Sequence, residues 1–423
     1  MARGGFRATN DWPRGRETKP QADAVQELGA NHTLIVGQSR SGKTNAARRL
    51  IEEILLWTEA RIVLFDPNGD FLWLKEVNPD ISNLNSGEME DREDFAPLWN
   101  ERVRPFITVA SKREDGAPWG IPWGKLTLEE MAAFLNLDPA ETFAEYQVFR
   151  RHYEFEETRW MERNPDDGSE PRKGRDLGTI RTFKDSQYFK IGSGDAIDRY
   201  RLRLESLEAR PAWALTSSND LDSLLRSSFK GAVIDLSMGD EEVRAMTAAR
   251  ALEVVWKQGE EYRTEAMRAE PGSVISWPGT IVVIDEAHLF AAPGPLEPRR
   301  RLLSDRIERF ADQGKKFNLY LMLITQQPNK LNQRILAECS NRVILRMNER
   351  LSLRLLEETY GGIRGRYDGA LTFSQGEALL EGALLCDENP PPPMPRGVLF
   401  LRACTREGGA TPPRNWARPK INS

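Results

Sequence analysis

Cysteine is scarce in this chain, with only Cys339, Cys386 and Cys404 among 423 residues. An odd, widely spaced set excludes a disulfide scaffold and fits a reducing compartment, so the expected location is cytoplasmic. Histidine is equally rare, and no pair drawn from His32, His152, His288 and the cysteines has the short spacing of a zinc site, which argues against a structural metal. Long apolar runs are missing too. Stretches such as Leu319 to Ile324 stop far short of the roughly 18 residues a spanning helix needs, and no signal-peptide pattern opens the chain. Nor is there an excess of positive charge: 59 Lys and Arg face 64 Asp and Glu, a net charge of −5. No global field draws the molecule onto a polyanion, so any such contact must be local. With 29% charged and 39% hydrophobic residues, the chain is neither apolar enough for a membrane protein nor depleted enough for wholesale disorder.

What is present alternates strand and helix patterns. Residues 1–30 form a basic arm, with Arg3, Arg7, Arg14, Arg16 and Lys19 set among glycines and prolines that bury little. Thr33-Leu34-Ile35-Val36 is a short β-branched apolar run ending in glycine, and Lys43 to Trp57 is helix-like, so the pair reads as strand, turn, helix. A second strand, Arg61 to Phe65, ends at Asp66 and enters the turn signal Pro67-Asn68-Gly69-Asp70. Strand patterns return at Gly231 to Leu236, Thr280 to Asp285, Leu319 to Thr325, Arg342 to Leu345 and Ala378 to Leu380, with amphipathic stretches such as Glu241 to Arg263 between some of them. This predicts an α/β core over residues 31–77 and 229–402, with a mostly parallel sheet covered on both faces. Residues 78–228 are polar, aromatic and charged and read as a mainly helical insertion. Thr127 with Glu130 is a capping-box signature, Pro139 to Arg163 is helix-like, and Asn164 to Gly194 reads as a loop. The proline run Asn389 to Pro395 should end the core, with Val398 to Leu401 adding one more strand before a loose tail over 403–423.

The chemistry-bearing segments lie at strand ends. Gly37-Gln38-Ser39-Arg40-Ser41-Gly42-Lys43-Thr44, followed by Asn45, satisfies the phosphate-loop pattern between a strand and a helix. Glycine at both ends lets the backbone wrap phosphates, the helix N-terminus offers amide donors, Lys43 reaches the β and γ phosphates of ATP, and the Thr44 hydroxyl is a Mg²⁺ ligand. Hydrolysis also needs a carboxylate for the metal and a group on the attacking water. Ile281-Val282-Val283-Ile284-Asp285-Glu286 supplies both, Asp285 for Mg²⁺ and Glu286 for water. His288 either couples nucleotide state to a neighbouring loop or simply packs. Gln326, at the end of the Leu319–Thr325 strand, can hydrogen-bond the γ-phosphate or the water.

Together with Asp66-Pro67-Asn68-Gly69-Asp70-Phe71, Asp285-Glu286-Ala287-His288 and Thr325-Gln326-Gln327-Pro328, the phosphate loop resembles the HerA/FtsK superfamily of ring-forming DNA motors, closest to the HerA-like branch. The resemblance extends over roughly residues 30–400, taking in Leu126 to Leu137, Val233 to Ser237, Ser340 to Arg346 and Gly376-Glu377-Ala378. It implies a RecA-like (ASCE) P-loop NTPase core that hydrolyses ATP with Mg²⁺. It further implies a homo-oligomeric ring, most often a hexamer, with ATP sites between subunits, that translocates double-stranded DNA alongside a nuclease or other effector. DNA packaging, conjugative transfer, or protein assembly without DNA movement are the alternatives. Two departures stand out. The basic arm stands where full-length HerA proteins carry a small β-barrel, so that module is expected to be missing. The segment Asp312-Gln313-Gly314-Lys315-Lys316-Phe317 has lysine where the family tends to present an arginine to the neighbouring subunit's nucleotide. Either Lys315 takes that role, or Arg306, Arg309, Arg342 or Arg346 does. Finally, Arg299-Arg300-Arg301 either faces a phosphate backbone or is a solvated helix start.

Overall fold

The computed structural model describes residues 31–79, 86–103, 106–109, 119–164, 176–190, 194–210, 213, 220–237, 239–269, 279–361, 364–382, 396–399, 403 and 405. The basic arm, the proline run and Phe400 to Leu401 lie outside the described residues.

The β-branched runs become one sheet. Its strands are β1 (Thr33–Val36), β2 (Arg61–Asp66), β3 (Phe106–Val109), β4 (Gly231–Asp235), β5 (Thr280–Ile284), β6 (Leu319–Thr325), β7 (Asn341–Leu345), β8 (Glu377–Glu381) and β9 (Arg396–Leu399). They stand in the order β3-β4-β2-β5-β6-β1-β7-β8-β9. Pairing is parallel from β3 through β7, and β8 and β9 close one side antiparallel. The inner strands β1, β4 and β5 are buried at every position, which is why they read as continuous apolar runs and not as alternating ones. Alternate residues serve two cores: Leu34 and Val36 pack on one face, while Ile35 faces the helix Lys43–Trp57 (α1) through Ala46, Leu50 and Ile54.

Within 78–228 the structure describes α2 (Ser86–Arg102), α3 (Leu128–Phe134), α4 (Phe143–Arg163), α5 (Ile180–Lys184), α6 (Asp195–Glu208) and α7 (Leu221–Arg226). Two sequence expectations need correcting here. The strand β3 pairs with β4 in the main sheet, so the division at residues 77 and 229 does not follow the sheet. Part of the 164–194 loop is ordered: α5 buries Ile180 and Phe183, and Phe183 packs edge-on against Trp123 at 5.6 Å and stacks on His152 at 4.1 Å. Few apolar positions in a short helix left no readable period. The capping box of Thr127 and Glu130 is formed as the sequence predicts, with both reciprocal bonds present.

The helical layer is joined to the core by buried charge. Helix α8 (Glu241–Arg268) carries Arg250, which donates to Glu130 at 2.9 and 3.0 Å and to Asp222 at 2.8 Å. Helix α9 (Pro298–Gln313) adds Arg306, 3.1 Å from Glu130 and 3.4 Å from Glu253. Burial opposes ionisation of Glu130, yet Arg250, Arg306 and the Thr127 N–H outweigh it and hold its carboxyl down at about 2. The start of the expected loose tail is also tied down. The Ala403 N–H donates to Asn45 Oδ1, and Thr405 donates through both N–H and hydroxyl to Glu52 of α1. Among the described residues no helix is long and apolar enough to cross a membrane.

Candidate active site

The loops that follow the parallel strands gather at one edge of the sheet, because parallel strands all end on the same side. The phosphate loop joins β1 to α1. Arg40 and Gly42 take left-handed backbones, φ 61° and 102°, which turn the loop. A Cβ on Gly42 would meet the backbone of Gly376 at 3.2 Å, and the Gly376 N–H donates to Ser41 O at 2.9 Å. Gly42 caps α1 without a side-chain bond and no acidic residue occupies the first turn, so neither a cap side chain nor a first-turn acid competes with an anion for these amides. Lys43 is buried and donates to Gln38 O at 3.0 Å. Burial pushes its pKa down, while Glu286, Asp285 and Asp70 hold it up.

Opposite stand the carboxylates. Asp285 follows β5 and is buried; that burial, with Glu286, Asp66 and Asp70 close by, pushes its carboxyl well above the usual range. Glu286 is displaced the same way by burial and by Asp70, with Lys43 opposing. Its backbone is left-handed, φ 47° and ψ 48°, a conformation non-glycine residues adopt at a cost of about 1 kcal/mol. Gln326 connects this group to the loop: Ser39 Oγ donates to Gln326 Oε1 at 2.8 Å, and Gln326 Nε2 donates to Glu286 Oε1 at 3.2 Å. The structure thus brings Gly37 to Asn45, Asp285, Glu286 and Gln326 to one place.

Sequence reasoning recognised the Asp66 turn without assigning roles to its members. Asp66 accepts from the N–H groups of Gly69, Asp70 and Phe71 at 2.8, 3.0 and 2.8 Å, which folds the turn over the site. Asn68 Nδ2 then reaches Asp285 Oδ2 at 3.4 Å, and Asp70 adds its charge to the fields at Lys43, Asp285 and Glu286. An acid closing a tight turn after a strand was the available signal. A divalent cation fits this donor set, with the Thr44 hydroxyl and Asp285 as hard oxygen ligands. Among the described residues no group of three or more His, Cys, Asp and Glu can hold a metal by itself, so water and phosphate oxygens would complete the shell.

This geometry has known counterparts. Residues 23–254 match the model of the family described as "Helicase HerA, central domain", which is more than half of the chain. The chain belongs to the HerA family. The DNA double-strand break repair helicase HerA of Pyrococcus furiosus is 25% identical over 390 residues, covering 85% of this chain and 64% of that protein. Its counterpart from Saccharolobus solfataricus is 22% identical over 362 residues, covering 84% and 62%. The chain therefore spans less than two thirds of the length of these relatives. The solved structure of VirB4 of Thermoanaerobacter pseudethanolicus superposes with a TM-score of 0.56 at 14% identity, over 88% of this chain and 89% of that one, which shows the shared P-loop α/β fold.

Other sequence-predicted residues of this HerA-family chain fall elsewhere. Arg299, Arg300 and Arg301 open α9 and are all paired within the chain: Arg299 with Glu242 and with Phe134 O at 3.0 Å, Arg300 with Glu241, Arg301 with Asp138 at 2.8 Å. These pairs tie the start of α9 to α8 and to the segment from α3 to α4. Three candidates for reaching a neighbour's nucleotide are likewise occupied. Arg306 is buried on Glu130 and Glu253, Arg309 donates to Glu253 at 2.9 Å over the Trp256 ring, and Arg342 donates to Glu381 at 2.7 Å over the Tyr360 ring. Arg346 follows β7, and its carbonyl accepts from Gln38 N at 2.8 Å, so its backbone borders the phosphate loop of its own chain. Lys315 is exposed and precedes β6, so it lies at the opposite edge of the sheet, roughly 20 Å of strand away from Gln326. A cavity of about 820 Å³ lies among α3, α4, α8 and α9, and none of its lining residues belongs to the phosphate loop or to Asp285–Glu286.

Proposed function

We propose that this protein is an Mg²⁺-dependent ATPase that drives movement along double-stranded DNA as a homo-oligomeric ring. The observation that carries the reading is the bridge Ser39–Gln326–Glu286, which joins the phosphate-gripping loop to the buried acids on β5. In this reading the loop amides and Lys43 hold the phosphates, Thr44 and Asp285 hold the cation, and Glu286 orients and deprotonates the attacking water. A cation held there would neutralise charge developing on the phosphoryl oxygens. A carboxyl displaced upward by burial is a stronger base than an exposed one, which suits it to that task. Gln326, held between the loop and the base, is placed to respond to loss of the γ-phosphate. A charge from the next subunit completes the site, and Lys315 is the candidate because it lies too far away to serve its own nucleotide. DNA movement rests on membership of the HerA family.

The test separates grip from turnover. Lys43→Ala should lose nucleotide binding, while Glu286→Gln should keep it and lose roughly 10²- to 10⁴-fold in single-turnover hydrolysis. Hydrolysis by Glu286→Gln at the wild-type rate would remove Glu286 from its role. Duplex DNA should stimulate hydrolysis, less so as salt rises. Hydrolysis indifferent to DNA would favour a second reading, a nucleotide-dependent assembly ATPase. The internal pairing of Arg299 to Arg301 and the net charge of −5 point in that direction.

A further inference from the structure

The carboxylate of Glu286 has two oxygens, and Gln326 holds only Oε1. The other, Oε2, is buried without a hydrogen-bond partner among the described residues, and His288 Nδ1 lies 3.4 Å from it. His288 sits one turn further along, in the short 3₁₀ turn Ala287–Leu289, and its Nδ1 is hydrogen-bonded to Thr325 Oγ1 at 3.1 Å. That hydroxyl is itself fixed, because it accepts from Gln327 N at 3.0 Å. The imidazole is therefore held at the carboxyl end of β6 and stands against a side chain at the carboxyl end of β5.

We propose that His288 is a positioning residue for Glu286, its single Nδ1 proton shared between Thr325 Oγ1 and Oε2 while Gln326 holds Oε1, so that the carboxylate presents one orientation to the water. The inference rests on the ATPase reading above and deepens it. Three physical points support it. First, the Glu286 backbone is left-handed, so the main chain alone does not hold this side chain in a relaxed geometry, and contacts from neighbouring segments must do so. Second, both supports come from one rigid element: Gln326 and Thr325 are consecutive residues at the end of β6, which is paired on both sides, with β5 and with β1. Third, the partners are of unlike chemistry. Gln326 is also bonded to Ser39 of the phosphate loop, whereas His288 is anchored on Thr325 at the strand end, outside that loop. Burial, with Lys330 and Lys43 nearby, pushes the imidazole's pKa down, which favours the neutral ring over a cation beside the carboxylate.

The experiment compares His288→Ala, His288→Asn and Glu286→Gln in full-length protein, measuring ATP turnover, KM and the affinity for a fluorescent ATP analogue. Asparagine can place an amide nitrogen near the position of Nδ1, so it serves as the conservative variant. His288→Ala should lower kcat about 10-fold with analogue affinity unchanged within about twofold, because a loosened base costs rate and not grip. His288→Asn should restore most of the rate. In the Glu286→Gln background the same alanine change should cost nothing further, since two residues acting through one group are not additive. An unchanged kcat in His288→Ala, an equal loss in His288→Asn, or a full additional loss in the double variant would overturn the proposal. Those outcomes are distinct from failure of the ATPase reading itself, which would appear as no hydrolysis by the wild type or as normal hydrolysis by Glu286→Gln.

Discussion

Glu130 offers the sharpest test of how this fold is held together. Its carboxylate, itself out of contact with solvent, accepts from Arg250 at 2.9 and 3.0 Å, from Arg306 at 3.1 Å and from the Thr127 N–H at 2.8 Å. Replacing it by alanine leaves two buried guanidinium groups short of a counter-charge, the kind of loss that costs about 3–5 kcal/mol. Arg250 keeps Asp222 and Arg306 keeps Glu253, so the lower end of that range is expected. The downward displacement of the carboxyl, to about 2, has the sign that such a stabilising cluster requires. The sign follows from the depressed native value. The contribution is present in full above pH 4.5 and is lost as pH falls from there towards 2. Urea unfolding of the wild type and Glu130→Ala, followed by circular dichroism at pH 7, 5 and 3.5, reads both the size and the direction. A gap under about 1 kcal/mol at pH 7, or one that widens as pH falls, would refute the assignment of this cluster as the joint between helical layer and core.

Changing Arg299, Arg300 and Arg301 together to alanine should destabilise the protein by roughly 1–3 kcal/mol and leave the salt dependence of duplex binding unchanged, because these charges are spent on Glu242, Glu241 and Asp138. A slope of affinity against salt reduced by about three would return them to the DNA interface. Gly37→Ala should weaken binding of a fluorescent ATP analogue by roughly 10-fold or more, since its Cβ would lie 2.5 Å from Ser41 Oγ, 2.9 Å from Leu345 Cβ and 3.2 Å from Lys43 Cγ; wild-type affinity would show that the loop yields. For Lys315, mixtures with Lys43→Ala protein are decisive. Lys315→Ala subunits alone should bind ATP and hydrolyse it slowly, and mixing should recover part of the rate at interfaces that pair an intact loop with an intact Lys315. No recovery would exclude action across subunits.

The sequence alone carried the phosphate loop, Asp285, Glu286 and Gln326, and for one physical reason. In a parallel sheet a buried strand reads as an unbroken apolar run, so the first polar residues after Val36, Ile284 and Thr325 announce the edge where ligands bind. The capping box at Thr127 and Glu130 was legible because its signals lie three residues apart on the chain. What the sequence could not supply were partners distant in the chain. Glu130 caps its own helix and also anchors Arg250 and Arg306, and nothing near it in sequence announces the second task. Arg299 to Arg301 read either as phosphate-facing or as a solvated helix start, and nothing near them in sequence announces that the fold brings Glu241, Glu242 and Asp138 against them. The strand β3 is short and isolated, and only its pairing with β4 makes it part of the sheet. The orientation of Glu286 between Gln326 and His288 belongs to the same class: it depends on the ends of β5 and β6 standing side by side, and side-by-side placement is set by hydrogen bonding between strands whose order along the sheet the chain does not spell out.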